Sequence, residues 1–395
     1  MILLDALLGL ALAHVVVCTA YLAALCLAAL RFKEAPPLGE ATPKPFLALV
    51  VPAHNEASGI ADAVRSALAV SWPADRLSAL VIADNCDDDT AGAARAAGAT
   101  VFVRQDPDDR GKGQALDWFF RQHQAAYAAA DIVAVIDADT LTDPGFARAV
   151  AAAFADPATQ AVQGFYGVRN PLESWRTSLA AAALALFHHV RPAGRDVLGG
   201  TAGLRGNGMA FRADLPARLG WPAHGLVEDA EFTLDLALGG IRVRYAPGAV
   251  VLAEMAATRR QADSQRRRWE GGRLALLRSH LPRLLAGLAR ADAALLLDAA
   301  LDLLTPPLTL LVLEPALAAG LALAWRPWGW PVLALLPAVS VLAVVEGLLL
   351  RREPLAVWLR LLAAPAFVVW KLALYAKAPF GKGAAAWTRT LRRGE

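Results

Sequence analysis

Cysteine is scarce in this chain, with 3 among 395 residues. Cys18 and Cys26 lie in the first apolar segment and Cys86 lies in the polar part, so the sequence has neither a disulfide framework nor a cysteine spacing typical of metal sites. This pattern fits a reducing, cytosolic environment for the soluble part. A strongly basic composition is also absent, because the formal net charge is +3 and the basic residues occur in clusters. No nucleic-acid partner is therefore expected, and the clusters favour local anion binding and anchoring at a membrane surface.

Apolar residues are in excess, at 56% of the sequence with a mean hydropathy of +0.40, which predicts membrane segments. Ala6–Leu30 is long enough to span a bilayer. A retained anchor is favoured over a cleaved signal peptide, because the only early charge is Asp5 and the cations Arg31 and Lys33 follow the apolar run. Those cations predict that its C-terminal end faces the cytoplasm.

Further apolar segments follow in the last third of the chain. Leu303–Trp325 and Trp328–Leu350 are each predicted to span the membrane, and Leu274–Ala294 is predicted to lie on its cytoplasmic surface. Pro354–Ala376 is predicted to form either a further span or an interfacial helix. The basic residues after it favour the interfacial helix. We therefore expect a multi-pass protein of a bacterial inner membrane with a cytosolic catalytic domain. Three ionisable residues lie within the predicted spans, as packing pairs or along a glycan or lipid path: His14, Glu314 and Glu346.

Strand-like and helix-like segments alternate between the first span and the later ones. The predicted strands are Phe46–Val51, Leu77–Ala83, Thr100–Arg104 and Ile132–Ile136. Such alternation predicts an α/β domain with a parallel, doubly wound sheet. Ligands bind beyond the carboxyl ends of the strands in these sheets. Acidic residues fall just after three of the predicted ends, namely Glu56, Asp84, Asp137 and Asp139.

The sequence IVAVIDADT, Ile132–Thr140, carries two aspartates one residue apart. In an extended segment Asp137 and Asp139 would point to the same side. Two such carboxylates repel each other unless a cation lies between them. A hard divalent ion, Mg²⁺ or Mn²⁺, that also binds a diphosphate would suit the site. A solvated acidic loop is the alternative interpretation.

Three later motifs complete the set of candidate residues. Leu204–Arg212, LRGNGMAFR, places glycines beside a strand, where the backbone can approach a ligand or can simply form a tight turn. Val227–Glu231 opens a predicted helix with carboxylates, which also complement the helix dipole. Gln265–Trp269, QRRRW, lies on another predicted helix, and part of this basic run is interpreted as surface.

In order and spacing, four of the motifs resemble those of family 2 glycosyltransferases with the GT-A fold: Pro52–Glu56, Asp84–Thr90, Gly111–Leu116 and Asp137–Asp139. Gln265, Arg268 and Trp269 resemble the QxxRW motif of membrane-integrated members such as cellulose, chitin and hyaluronan synthases and ceramide glucosyltransferases. The resemblance implies a GT-A domain, a Rossmann-like doubly wound sheet, with transmembrane helices on both sides. The expected organisation is an anchor (1–33), the cytosolic GT-A domain (46–272), an amphipathic interface region (273–302), two transmembrane helices (303–352) and an interfacial or membrane helix with a basic cytosolic tail (353–395).

The resemblance also implies roles for the matching residues. Asp229 is expected to act as the general base and Asp139 to coordinate Mg²⁺ or Mn²⁺. Residues expected to bind the donor nucleotide are Glu56, Asp84, Lys112, Asp137, Gln265 and Arg268. Residues expected to bind the acceptor are Gly206, Asn207, Glu228 and Trp269.

The function implied is inverting, metal-dependent transfer of a sugar from a UDP-sugar to a membrane lipid or a growing glycan, in extracellular polysaccharide synthesis. A single transfer to a lipid such as ceramide, a hopanoid or a polyprenyl phosphate is the alternative. The few predicted spans keep this alternative close, since they leave little wall for a channel unless the chain forms an oligomer or has an export partner. A non-catalytic subunit of an export complex is a third interpretation, which predicts loss of the base or metal residue, whereas both Asp139 and Asp229 are present.

Overall fold

The structure is a computed structural model that describes residues 2–255, 271–289, 292–325, 330–366 and 368. The described residues fall into two compact units. A helical unit comprises those of Met1–Phe32, Pro171–Gly200 and Leu281–Lys382. An α/β unit comprises those of Lys33–Asn170, Thr201–His280 and Gly383–Glu395.

The described part of the α/β unit contains eight strands and six labelled α-helices. The strands are β1 (Leu47–Ala53), β2 (Leu77–Asp84), β3 (Thr100–Arg104), β4 (Ile132–Val135), β5 (Thr140–Thr142), β6 (Ala161–Val168), β7 (Met209–Arg212) and β8 (Val243–Ala253). The helices of the α/β unit bear the labels α2 (Ile60–Leu68), α3 (Thr90–Ala96), α4 (Lys112–Gln122), α5 (Phe146–Ala153), α8 (Asp214–Leu219) and α9 (Glu228–Leu238), and a further helical stretch covers 271–279. The labelled helices of the helical unit are α1 (Ile2–Ala29), α6 (Trp175–Ala185), α7 (Arg191–Val197), α10 (Leu281–Gly287), α11 (Ala293–Leu304), α12 (Leu308–Trp325), α13 (Trp330–Leu350) and α14 (Leu355–Arg360).

All eight strands form one sheet in the order β3-β2-β1-β4-β7-β6-β8-β5. The first four are parallel, as expected from the sequence. The expectation of a parallel sheet throughout is wrong, because β7 is antiparallel to both β4 and β6, and β5 is antiparallel to β8. The alternation of strand and helix that enforces parallel pairing ends after β4, where β5 follows through a short turn.

Apolar side chains cover both faces of the central strands. Leu49 of β1 packs in one cluster with Phe146 and Val150 of α5. Val51, two residues further along β1, packs in a second cluster with Ile60 and Val64 of α2. Burial on both faces explains why the central strands read as continuous apolar runs rather than as alternating ones.

Helices of the helical unit cross closely. A Cβ atom on Gly194 of α7 would lie 2.3 Å from the carbonyl oxygen of Leu25, and one on Gly347 of α13 would lie 2.8 Å from the carbonyl carbon of Ala185. Only glycine permits such close approach of two helices. His14, discussed above as a polar residue within a span, lies 3.8 Å from the Glu314 carboxylate, so these two residues form a packing pair.

Among the described helices, Gly9–Ala29 is long and apolar enough to cross a bilayer, and the bent pair α11–α12 would be a second if it forms one span. That pair bends by 76° at the Thr305-Pro306-Pro307 break, because proline cannot continue a helix. The predicted span Leu303–Trp325 therefore begins at this break. The described helices thus do not support the multi-pass topology, and the predicted basic tail lies outside the described residues.

Candidate active site

The candidate residues of the α/β unit gather at one edge of the sheet. Glu56 follows β1, Asp84 ends β2, and Asp137 and Asp139 follow β4. Because β7 runs antiparallel to β4, the loop before β7, with Gly206 and Asn207, reaches the same edge. Lys112 begins α4, and Glu228 and Asp229 begin α9. Gln265, Arg268 and Trp269 lie outside the described residues.

Lys112 connects the loop after β4 with the loop before β7. Its ammonium group donates hydrogen bonds to the Asp137 carboxylate and to the Gly206 carbonyl. Burial lowers the pKa of Lys112, but the charges of Asp137, Glu228 and Asp229 outweigh burial and raise the pKa overall. The lysine is therefore charged at physiological pH and compensates the acidic side chains around it.

Gly206 brings Asp229 close to Lys112. Its φ is +78°, a conformation that favours glycine, and a Cβ atom there would lie 3.3 Å from Asp229 Oδ2 and 3.8 Å from Lys112 Nζ. The Asp229 carboxylate thus lies against the backbone turn whose carbonyl binds Lys112. The predicted base and the first aspartate of the DAD sequence share one cationic neighbour.

Asn207 supports the aspartate turn. Its side chain is fully buried, its Oδ1 accepts a hydrogen bond from the Asp137 backbone N–H at 3.1 Å, and its Nδ2 donates to Thr140 Oγ1 at 2.7 Å. Both ends of the amide therefore bind within the protein, whereas the sequence predicted that Asn207 binds the acceptor. Gln163 holds the same loop, because it donates to the Asn207 carbonyl at 2.8 Å and accepts from Arg205 N–H at 2.8 Å. The sequence analysis missed Gln163, although a glutamine inside the apolar β6 was a usable indication.

The two aspartates of the DAD sequence lie in a turn rather than in an extended strand. β4 ends at Val135, and the Thr140 N–H donates to the Asp137 carbonyl at 3.2 Å, so the argument from strand alternation does not apply. Lys112 binds Asp137, whereas Asp139 accepts from Thr140 Oγ1 at 3.3 Å. No group of three or more His, Cys, Asp or Glu side chains in the described ranges is placed to hold a metal.

The residues present would still fit a metal ion that binds together with the phosphate groups of a substrate. Mg²⁺ usually keeps several waters and binds one or two carboxylates together with phosphate oxygens, rather than an all-protein cage. The half-buried Asp139 provides such a hard oxygen ligand at the sheet edge.

A buried ion pair lies at the end of β2 and β3. Asp84 is 6% exposed, and its Oδ1 accepts hydrogen bonds from Arg104 at 2.8 Å and Asn85 at 3.0 Å. Burial raises the pKa of Asp84, and Arg104 counteracts only part of this effect. Arg104 also donates to the carbonyl and carboxylate of Asp109, at 2.7 and 2.8 Å. It therefore ties the Asp84 pocket to the loop that leads into Lys112.

Sequence reasoning missed Arg104, although its position at the last residue of a strand was an available indication. Its cross-strand partner is Asp84 itself, a pairing that depends on the register of β2 and β3. The neighbouring acidic residues occupy turn and cap positions. Asp89 accepts from Gly92 N–H at 3.2 Å and caps α3, and Asp88 accepts from Thr90 N–H at 3.0 Å. Glu56 is buried beside them, and its N–H donates to Thr90 Oγ1 at 2.7 Å.

Replacing Arg104 with methionine should lower the free energy of unfolding by about 3–5 kcal/mol, because Asp84 would keep its burial and lose its charged partner. Thermal or urea unfolding of the full chain in detergent measures this. The control is Arg65→Met, which breaks an exposed pair with Asp62 and should cost less than about 1 kcal/mol. Equal effects of the two substitutions would contradict the importance of the buried pair.

The carboxylates at the start of α9 have perturbed proton affinities. Burial and the nearby Asp229 raise the pKa of Glu228 to about 7, against the opposing effect of Lys112. Burial also raises the pKa of Asp229, which backbone N–H groups, Lys112 and Arg205 partly counteract. A carboxylate with a raised pKa is a better proton acceptor near neutral pH than an ordinary one.

Folding stability should therefore fall as the pH rises from about 4.5, the ordinary value for glutamate, to about 7, because folded Glu228 retains its proton over this interval. Glu228→Gln should remove this dependence. The change that the substitution causes in the free energy of unfolding should be more stabilising at pH 8 than at pH 4, by roughly 1–3 kcal/mol. Unfolding midpoints across this pH range measure the difference. Parallel pH profiles for the two proteins would contradict the raised pKa.

Comparison with known proteins connects this site to a family. A family model described as "Glycosyltransferase like family 2" matches residues 43–272. The chain is 26% identical over 236 residues to a probable glycosyltransferase, YdaM, of Bacillus subtilis (strain 168), covering 58% of this chain and 55% of that protein. It is 29% identical over 238 residues to a beta-monoglucosyldiacylglycerol synthase of Trichormus variabilis, covering 58% and 49%. The chain thus spans about half the length of the curated relatives it matches.

Among solved structures, the fold is similar to that of a mannosyltransferase from Pyrobaculum calidifontis in complex with GDP-Man and Mn²⁺. The TM-score is 0.52 at 21% identity, and the match covers 86% of this chain and 99% of that one. This likeness shows the fold alone, an α/β GT-A-like fold with a mixed sheet. The family match covers more than half of the chain and contains the described site residues at the sheet edge. The chain therefore belongs to glycosyltransferase-like family 2.

Proposed function

We propose that this protein transfers a hexose from a UDP-sugar to a membrane-associated acceptor, with inversion at the anomeric carbon. The observation that carries the proposal is the arrangement of Lys112, between the Asp137 carboxylate and the Gly206 turn that lies against Asp229. This arrangement provides a cation for a diphosphate and a carboxylate for an acceptor hydroxyl within one cluster.

The donor nucleotide is proposed to bind along the carboxyl ends of β1, β2 and β4. Glu56 and Asp84 would contact the uracil and ribose, and Asp137 the ribose side. Lys112 would then give up part of its contact with Asp137 and bind the diphosphate. The flexible side chain of lysine would allow its ammonium group to make this move. Asp139 would hold Mg²⁺ or Mn²⁺, whose charge would help to neutralise the leaving diphosphate. Gln265 and Arg268 are proposed to complete the donor site.

Asp229 is proposed to accept the proton of the acceptor hydroxyl as that hydroxyl attacks the anomeric carbon. The nearby ammonium of Lys112 counteracts part of the rise that burial causes in the pKa of this carboxylate. Attack from the face opposite the leaving diphosphate inverts the configuration, and no covalent bond between sugar and enzyme is needed. Glu228 and the Gly206–Asn207 turn would border the acceptor, and Trp269 would stack against its sugar or headgroup.

The proposed setting is the cytosolic face of a bacterial inner membrane. α1 would cross the bilayer, with the bent pair α11–α12 and α13 embedded beside it. Extension of a polysaccharide and a single transfer to a lipid are both compatible with this setting. The single transfer gains support from the relative whose name is beta-monoglucosyldiacylglycerol synthase. Product analysis separates the two, since extension gives a ladder of products and single transfer gives one glycolipid.

The purified full chain, incubated with Mg²⁺ or Mn²⁺, a lipid extract and a panel of UDP- and GDP-sugars, should release nucleoside diphosphate from a UDP-sugar. Chromatography of the released nucleotide measures this. Turnover of a GDP-sugar alone would contradict the uridine assignment, and turnover of none would contradict the proposed activity.

Asp139→Ala should reduce that turnover by about 10²–10³-fold at any Mg²⁺ or Mn²⁺ concentration, because the diphosphate would lose its ion-mediated stabilisation. The matched control is Asp143→Asn, at an exposed turn residue whose Oδ1 accepts from Gly145 N–H at 2.7 Å, and it should retain activity. Undiminished turnover by Asp139→Ala would refute the assignment of this residue as the metal ligand.

A further inference from the structure

Helix α14 and the turn after it expose a strip of leucines. Leu355, Leu359 and Leu362 are 72%, 60% and 84% exposed, and their spacing of four and three residues places them on one side. No described residue covers them. The same helix packs against α6, and its Val357 is fully buried. The described apolar stretch Leu355–Ala366, which begins with α14, is shorter than a bilayer span.

Arginines border the leucine strip. Arg360, the last residue of α14, donates to Ser178 Oγ of α6 at 3.3 Å. Arg176, two residues before Ser178, lies with its guanidinium 4.3 Å from the centre of the Trp175 ring. The Nε atom of Arg176 is buried and has no hydrogen-bond partner among the described residues. Two elements therefore bring a positive charge to the same region of the helical unit.

Two further arginines, Arg351 and Arg352, lie between α13 and α14. The acidic residues that offset this group are few. Glu353 follows the two arginines directly, and burial raises its pKa, which Arg351 partly counteracts. Glu173 lies ahead of α6. Four arginines against two glutamates leave the region positively charged.

We propose that this surface, which we call the arginine–leucine surface, binds anionic phospholipids at the membrane face. It consists of Leu355, Leu359 and Leu362 with Arg176, Arg351, Arg352 and Arg360. Leucines need an apolar medium, whereas guanidinium groups bind phosphate oxygens through paired hydrogen bonds. Trp175 and Trp358 are amphipathic side chains of the kind that occupy the headgroup level. A narrow apolar strip with a cationic border matches a bilayer rich in anionic headgroups. The proposal does not depend on which sugar the enzyme transfers.

The test uses the full chain in detergent micelles and short-chain lipids as probes. Calorimetric titration with dihexanoyl phosphatidylglycerol and dihexanoyl phosphatidylcholine compares an anionic with a zwitterionic headgroup. The phosphatidylglycerol should bind more tightly. Arg176→Gln with Arg360→Gln should weaken its binding by about 25-fold, at about fivefold for each arginine. Arg352→Gln, at an exposed position, should weaken it about fivefold without disturbing the packed helices.

The matched control is Arg65→Gln with Arg121→Gln, which removes the same charge from exposed helices of the α/β unit and should leave the affinity unchanged. Equal affinity for the two lipids would overturn the proposal, and so would an equal loss in the control. A second measurement is hydrogen exchange of residues 353–362 in vesicles. Exchange should slow when a quarter of the phosphatidylcholine is replaced by phosphatidylglycerol, and identical exchange in both vesicles would show that something other than anionic lipid covers the leucines.

Discussion

Replacing Asp229 with asparagine should lower the rate of sugar transfer by about 10²–10⁴-fold while leaving the affinity for UDP nearly unchanged. Asparagine has the shape of aspartate but cannot accept the hydroxyl proton. The Asp229 carboxylate lies against Gly206, beside Lys112, so its loss should spare the proposed nucleotide site around Asp84. Transfer is measured by product formation, and UDP affinity by calorimetric titration.

The matched control for this variant is Asp235→Asn, further along α9. Asp235 Oδ1 lies 3.4 Å from the imidazole of His280, outside the cluster around Lys112. This variant should retain transfer activity. Normal activity of Asp229→Asn would show that the base lies elsewhere. Equal inactivation of both variants would show that the helix, rather than the carboxylate of Asp229, was required.

Replacing Lys112 with methionine should lower both stability and donor affinity. The side chain of Lys112 is only 19% exposed, and methionine keeps its length while removing the charge that compensates Asp137, Glu228 and Asp229. We expect a loss of about 3–5 kcal/mol in the free energy of unfolding at pH 8. The loss should be smaller at pH 5, because Glu228, with its pKa raised to about 7, is then protonated. UDP affinity should fall by at least about tenfold, since hydrogen bonds to charged groups contribute about 1.5–3 kcal/mol.

Unfolding of the full chain at both pH values measures the effect on stability. Lys44→Met is the control, since Lys44 lies over the Trp72 ring at 5.6 Å, away from the carboxylates, and its loss should cost less than about 1 kcal/mol. A Lys112→Met protein as stable as the wild type at pH 8 would contradict the view that this lysine compensates the acidic cluster.

The first half of the sheet could be predicted from the sequence because its strands are buried on both faces. The strand Thr100–Arg104 was predicted with its observed bounds, and the other three differ by one or two residues at one end or at both. The direction of β7 could not be predicted, since four residues, MAFR, pair equally well in either direction. Its antiparallel pairing with β4 is set by the path of the chain after β6, where the helices of Pro171–Gly200 intervene.

Within the site, sequence reasoning found the charged residues that the motifs contain and missed those that hold them. The register of β2 and β3 brings Arg104 to Asp84, and the loop before β7 brings Arg205 to Gln163. Lys112 binds the Gly206 carbonyl, which lies 94 positions further along the chain. Asn207 was expected at the acceptor, whereas its amide binds the aspartate turn. Such roles depend on tertiary contacts that no local pattern records.

The most direct measurement of the central claim is a structure of the full chain with UDP and Mn²⁺. The account predicts uracil beside Asp84, the diphosphate between Lys112 and Asp139, and Asp229 facing the open side of the diphosphate where an acceptor enters. A nucleotide bound away from this sheet edge, or an Asp229 side chain turned away from the diphosphate, would contradict it.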